Sequence, residues 1–138
     1  MRPRVYLSGP INGTKDSEQV WRSIAAKKLE KWYDILDPLR RDFRGIKFQT
    51  VNSVNIVKQD LQEVDHAHVV LVNCTKPGWG TAMEVFYAHM KGKPVLFFGA
   101  SNNPSPWLLA HARNVKTFST AILELKKFRK TIVECGLK

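Results

Sequence analysis

Five short runs of β-branched and aromatic residues punctuate this chain, and a stretch of helical periodicity follows each one. The runs are RVYLS (4–8), YDILDP (33–38), AHVVLVNC (67–74), PVLFFG (94–99) and NVKTF (114–118). Strand and helix alternation at this short spacing leaves little choice of fold. Neighbouring strands joined through a helix run parallel, and the helices cover both faces of the sheet. The third run is almost wholly apolar, as a strand buried on both sides should be. We therefore expect one α/β domain over residues 1–138, a doubly wound five-stranded parallel sheet with the flavodoxin-like order 2-1-3-4-5.

The helical segments carry their own signals. DSEQVWRSIAAKKLEKW (16–32) repeats Val20, Trp21, Ile24, Ala25, Leu29 and Trp32 at helical spacing, with Asp16 or Ser17 as its cap. SVNIVKQDLQEV (53–64) places Val54, Val57, Leu61 and Val64 on one face, with Asn52 or Ser53 as cap. PWLLAHA (106–112) predicts a short helix, and STAILELKKFRKTIVE (119–134) a closing one capped by Ser119. Residues 39–50 are polar and basic and read as a loop longer than a simple connection requires.

In such sheets ligands bind beyond the C-terminal strand ends, where the strand order reverses. Here that point lies between the first and third strands, flanked by SGPING (8–13) and TKPGWGT (75–81). The second of these leads into GWGTAMEVFYAHMKGKPV (78–95), which holds a single acidic residue, Glu84. Two readings of that carboxylate stand side by side. Thr81-Ala82-Met83-Glu84 fits the S/T-x-x-E capping box, in which the carboxylate only ties down a helix end. Alternatively, Gly78 and Gly80 open the backbone to a ligand. Asp60 on the preceding helix, with Tyr6 and Ser8 from the first strand, then completes a crevice suited to glycosyl transfer.

Composition narrows the class further. No apolar run reaches the length of a membrane span, and MRPRVYLSGP lacks the apolar core of a signal peptide, so a cytoplasmic protein is expected. Cys74 and Cys135 are far apart, and His66 and His68 are read as lying where a helix gives way to a strand, so no metal site and no cofactor are expected. The net charge is +10, and Trp21, Trp32, Trp79 and Trp107 occur among Lys and Arg. These features support a second reading, a basic nucleic-acid-binding module on the same scaffold. The positive charges are scattered, however, and such a field also attracts small anionic substrates.

VYLSGPI (5–11), IVKQDLQEVDHAHVVLVN (56–73) and KPGWGTAMEVFYAHMKGKPV (76–95) together resemble the nucleoside 2-deoxyribosyltransferase family, whose relatives include deoxynucleoside 5'-monophosphate N-hydrolases. The resemblance runs in order from about Arg4 to Phe118. It implies that Glu84 is the nucleophile, that Asp60 supports the leaving base or the sugar, and that Tyr6 and Gly9 belong to the pocket. It also implies small-molecule partners (a nucleoside or nucleotide and a nucleobase) and a homodimer or larger assembly. The expected substrate contacts are Ser8 at the end of the first strand, Gly9 just after it and Asp37 after the second strand. Gly78, Gly80 and Met83 follow the third strand, and Asn103 comes after the fourth. Arg40, Arg41 and Arg44 in the long loop have the chemistry to hold a phosphate. Two positions depart from the family pattern. Six residues before the nucleophile the transferases tend to carry Asp and the monophosphate hydrolases Ser, where this chain has Gly78. The hydrolases' first-loop serine falls on Pro10.

Overall fold

The computed structural model describes residues 2–136. Five strands, β1 (Arg4–Ser8), β2 (Asp34–Leu36), β3 (Val69–Asn73), β4 (Val95–Phe98) and β5 (Arg113–Lys116), form one parallel sheet in the order β2-β1-β3-β4-β5. The expected topology and strand order are therefore observed. Between and after the strands lie α1 (Val20–Leu29), α2 (Thr50–His66), α3 (Trp79–Met90), α4 (Pro106–His111) and α5 (Phe118–Glu134). None of these helices is long and apolar enough to cross a membrane.

Right-handed crossovers decide which face each helix covers. The chain moves one way from β1 to β2 and the other way for every later step. Accordingly α1 and α5 pack on one face, where Ala25, Leu29, Ala121, Ile122 and Leu125 meet Val5, Leu7, Val69 and Leu71. On the other face Val64 of α2 and Val85 and Ala88 of α3 meet Tyr6, Val70, Val72, Val95 and Phe97. Side chains alternate along a strand, so Tyr6 and Ser8 both turn toward the α2–α3 side. Both are fully buried.

Helix starts and faces differ from the sequence reading in specific ways. The segment after Lys15 first makes a 3-10 turn (Asp16–Gln19), in which Glu18 accepts from the Lys15 amide at 2.7 Å, and α1 begins only at Val20. Its buried residues are Arg22, Ala25 and Leu29, whereas Val20, Ile24 and Trp32 are exposed. α2 starts at Thr50 with Gln49 as N-cap, earlier than Asn52 or Ser53, and the Ser53 hydroxyl bonds back to the Gln49 carbonyl. Val64 is buried, but Val54 and Val57 are 60% and 54% exposed because the N-terminal half of α2 extends past the sheet. α5 is capped by Thr117, whose hydroxyl accepts from the Thr120 amide, and Ser119 lies inside the helix.

The capping box at Thr81 and Glu84 does not form. α3 begins at Trp79, with Gly78, in extended conformation, as N-cap. Thr81 falls in the first turn and is buried, and Glu84 falls in the second turn, too far along to reach an orphan amide. The carboxylate is free for other partners.

Candidate active site

Both oxygens of Glu84 are held by hydroxyls from β1. Tyr6 donates to Oε2 through a short hydrogen bond, and Ser8 donates to Oε1 at 2.7 Å. The period-two spacing of Tyr6 and Ser8 supplies this grip, because residues two apart on a strand present their side chains to the same helix. Glu84 itself retains partial solvent contact.

The electrostatics around it are opposed. Burial pushes the Glu84 carboxyl up to about 7, and the nearby Asp60 charge pushes the same way. The Tyr6 and Ser8 hydrogen bonds pull it down, as does the buried guanidinium of Arg22. Tyr6 is driven far above the usual phenol range by burial and by the Glu84 and Asp60 carboxylates, so it remains a hydrogen-bond donor throughout the physiological range. An acid poised near neutrality inside a polar cluster is the kind of perturbation that marks reactive sites.

Asp60 lies on α2, close enough to act on both Tyr6 and Glu84. Its Oδ1 accepts from Arg41 Nη2 at 3.0 Å, and Arg41 Nη1 reaches Glu63 Oε1 at 2.8 Å. Burial raises the Asp60 carboxyl despite Arg41. One turn along, burial also opposes ionisation of Glu63, but the bond to Arg41 and the charge of Arg40 outweigh it and hold that carboxyl below its ordinary value. Sequence reasoning placed Arg41 with Arg40 and Arg44 as a holder of phosphate, whereas here it is bonded to Asp60 and Glu63. It missed Glu63, whose only signal was its i, i+3 spacing from Asp60 on α2.

The remaining candidates divide between the cluster and its surroundings. A side chain at Gly80 would meet nothing within 4 Å, so the backbone there borders open space, and Met83 is exposed beside it. A Cβ on Gly9 would lie 3.0 Å from Trp21 Cζ2, and one on Gly78 would lie 3.1 Å from Pro10 Cγ. The two departures at Pro10 and Gly78 are thus a single packing unit, since the proline ring occupies the space beside position 78. Asp37 accepts from Arg22 Nη1 at 3.0 Å and from the Leu39 amide at 2.9 Å, so its carboxylate braces the turn after β2. Arg40 is bonded to Glu63, and Arg44 to Asp42 and Asp16. Asn103 lies in the loop between β4 and α4, where its carbonyl accepts from Ser101. That loop borders a cleft of about 520 Å³ between α3 and α4, on the flank of α3 that carries Ala82 and Phe86. His66 closes α2, and His68 immediately precedes β3.

Residues 5–130 match the sequence profile of the family described as nucleoside 2-deoxyribosyltransferase. The chain belongs to that family. No curated protein matches it closely enough in sequence to be counted a relative. Among solved structures, a conserved protein from Enterococcus faecalis V583 superposes with TM-score 0.75 at 15% identity, covering 93% of this chain and 99% of that one. A 2-deoxyribosyltransferase from Bacillus psychrosaccharolyticus superposes with TM-score 0.65 at 18% identity, covering 88% and 90%. At these identities the two structures support the fold, and the family profile supports a glycosyl-transferring activity.

The four tryptophans behind the nucleic-acid reading do not share one face. Trp21 packs edge-on against Phe98, Trp32 lies beneath Arg129, and Trp79 and Trp107 stand out from α3 and α4.

Proposed function

We propose that this deoxyribosyltransferase-family protein cleaves the N-glycosidic bond of a 2'-deoxynucleoside or its 5'-monophosphate, with Glu84 as nucleophile. The observation that carries this reading is the Glu84 carboxylate, gripped at both oxygens by Tyr6 and Ser8 beside Asp60. One carboxylate oxygen attacks C1' of the sugar, the C1'–N bond breaks, and the electron pair leaves with the base. A proton from solvent reaches the departing base by way of Asp60, which begins and ends the cycle ionised. The resulting glycosyl ester on Glu84 is then attacked at C1' by a second base or by water, with the attacking group losing its proton, and the carboxylate is released. Two inversions give net retention. Missing the 2'-hydroxyl, a deoxyribosyl centre bears positive charge readily, and the adjacent carboxylates stabilise it. The direct test incubates the protein with deoxynucleosides and their monophosphates, with and without an acceptor base. A new nucleoside, or released base alone, is expected; no turnover of any member would overturn the reading.

The acid limb of the rate profile follows from the same geometry. Only ionised Glu84 attacks, so kcat/KM is expected to rise with pH through about 7 and then level off. Tyr6→Phe or Ser8→Ala removes a hydrogen bond that favours the anion, so each should move that limb to higher pH. A limb in the ordinary carboxylate range near 4.5 would be incompatible with Glu84 as the titrating nucleophile.

A second copy of the chain is part of this proposal. Trp79, Met83, Phe86 and Met90 form an exposed stripe along α3 at alternating spacings of four and three, and Trp107 on α4 is 72% exposed. A contiguous apolar stripe of this kind marks an interaction face, and its self-complementary use gives a two-fold dimer. In the family it resembles, residues from the region of Asn103, sometimes of a neighbouring subunit, complete the pocket, which would give such a dimer a catalytic reason. Light scattering should return at least twice the 15.8 kDa chain mass; a monomer at assay concentration would remove this part.

A further inference from the structure

β1 is longer than the strand beside it. Its register with β2 covers Arg4–Tyr6 against Asp34–Leu36, and β2 then ends at Asp37 and Pro38. Toward β3 the ladder continues through Leu7 and Ser8. In a parallel strand alternate carbonyls point to the same neighbour. The Arg4 carbonyl points to the β3 side, where it accepts from His68. The Leu7 and Gly9 carbonyls therefore point to the β2 side, beyond the last β2 residue that pairs with β1. Buried carbonyls without donors are costly, and here one side chain supplies both donors.

That side chain is Arg22 of α1, only 1% exposed. Its Nη1 donates to the Leu7 carbonyl at 2.8 Å and to Asp37 Oδ1 at 3.0 Å, its Nη2 donates to the Gly9 carbonyl at 2.8 Å, and its Nε donates to Gln19 Oε1 at 2.7 Å. Gln19, also buried, donates in turn to the Pro10 carbonyl at 2.8 Å. The planar fork of an arginine suits this work, because its fixed donors reach several acceptors at once. The two carbonyls it holds bracket Ser8, whose hydroxyl is bonded to Glu84 Oε1.

We propose that Arg22 is a positioning residue for the Glu84 carboxylate: it stands in for the missing rung of β2, fixes the backbone on either side of Ser8, and so aims the Ser8 hydroxyl at Oε1. Its catalytic meaning rests on the reading of Glu84 as nucleophile, but its structural content does not. Arg22 touches no substrate and acts through Ser8 and through its charge. The groups that share its influence over Glu84 are Tyr6 and Ser8 of β1 and Asp60 of α2, with Arg41 and Glu63 acting on Asp60 and Asp37 acting on Arg22 itself.

The test follows Glu84 directly as well as through turnover. Carboxyl-13C-labelled glutamate gives the titration midpoint of Glu84 by NMR, assigned by its loss in Glu84→Gln, and needs no substrate. In Arg22→Lys the ammonium keeps the charge but cannot hold Leu7, Gly9 and Gln19 together. The midpoint is expected to rise, and kcat to fall about 10–100-fold with KM changed less than threefold. In a Ser8→Ala background the same substitution should move the midpoint and kcat much less, because the route through Ser8 is already cut. Asp37→Asn keeps acceptors for Arg22 and the Leu39 amide but removes the counter-charge, so the midpoint should fall; this variant decides the matter if Arg22→Lys does not fold. A lowered melting temperature with unchanged midpoint and kcat in Arg22→Lys, or no shift in Asp37→Asn, would reduce Arg22 to a structural brace and overturn the proposal. Shifted midpoints in a protein that turns over no deoxynucleoside would leave Arg22's role standing and remove the proposed reaction instead.

Discussion

Glu84→Gln should lose glycosidic turnover by about 10³-fold or more while the folded protein becomes more stable at pH 8. The loss follows because an amide cannot form the ester on which a double displacement depends. The gain follows from linkage. Glu84 titrates at about 7 in the folded chain against an ordinary 4.5. Its folded-state value is raised, so the folded state prefers the protonated form. The ionised group consequently costs stability as pH rises through the window from 4.5 to 7, and the full cost is present above it. At about 1.4 kcal/mol per unit the penalty is on the order of 3 kcal/mol, an upper figure because the side chain keeps some solvent contact. Glutamine has nearly the same shape, carries no charge and still accepts from a hydroxyl. A higher melting temperature is expected at pH 8, shrinking toward zero near pH 4.5. Calorimetry across that range checks the stability half, and product separation checks the activity half. A helix-capping role predicts a different combination: full activity with little change in stability, because a capping box takes Glu or Gln at that place. Undiminished turnover in Glu84→Gln would end the nucleophile reading.

Part of this was legible in the chain and part was not, and the division has a physical cause. A strand buried on both faces must be apolar throughout, so VVLVN and VLFF announce themselves without any knowledge of their neighbours. The alternation of such runs with helices then dictates a parallel sheet, and the switch point between β1 and β3 leads to Tyr6, Ser8 and Glu84. Which face of a helix is buried is another matter. It depends on how far the helix overlaps the sheet, so Val54 and Val57 fit an apolar stripe and nevertheless stand in solvent, while Arg22 breaks such a stripe and is buried. Helix starts fail for a related reason. A capping box is a local pattern, and the pattern at Thr81 was outcompeted by three further helical residues and by the hydroxyls of a strand 76 to 78 positions away. The arginines show the same limit. Arg40, Arg41 and Arg44 look alike as loop charges, yet their partners lie up to 30 residues away in sequence, and of the three only Arg41 reaches Asp60.

Asp60→Asn is the variant in which rate and pH dependence should move in an unusual combination: a turnover loss of about 10²-fold with an acid limb displaced to lower pH. The loss reflects removal of a group that carries a proton to the departing base, within the usual range for general acid–base catalysis. The displacement has the opposite sign to that of Tyr6→Phe or Ser8→Ala. The Asp60 charge disfavours ionisation of Glu84, and a neutral amide no longer does so. Glu84 then ionises at lower pH, and kcat/KM reaches its reduced plateau earlier. Folding should survive, because Asn still accepts from Arg41 Nη2 and Arg41 retains Glu63 Oε1 at 2.8 Å. Glu63→Gln is the matched control: it removes the same charge one turn along α2 from the same arginine, while the charges acting most on Glu84 are Asp60 and Arg22. In that control the limb should stay within a few tenths of a unit of the wild type. A limb that moves upward in Asp60→Asn, or a rate equal to the wild type's, would place Asp60 outside the chemistry and leave Glu84 to act with Tyr6 and Ser8 alone. A downward limb with reduced rate ties both carboxylates to one substrate, because a charge on α2 then governs the reactivity of a side chain on α3 across the end of the sheet.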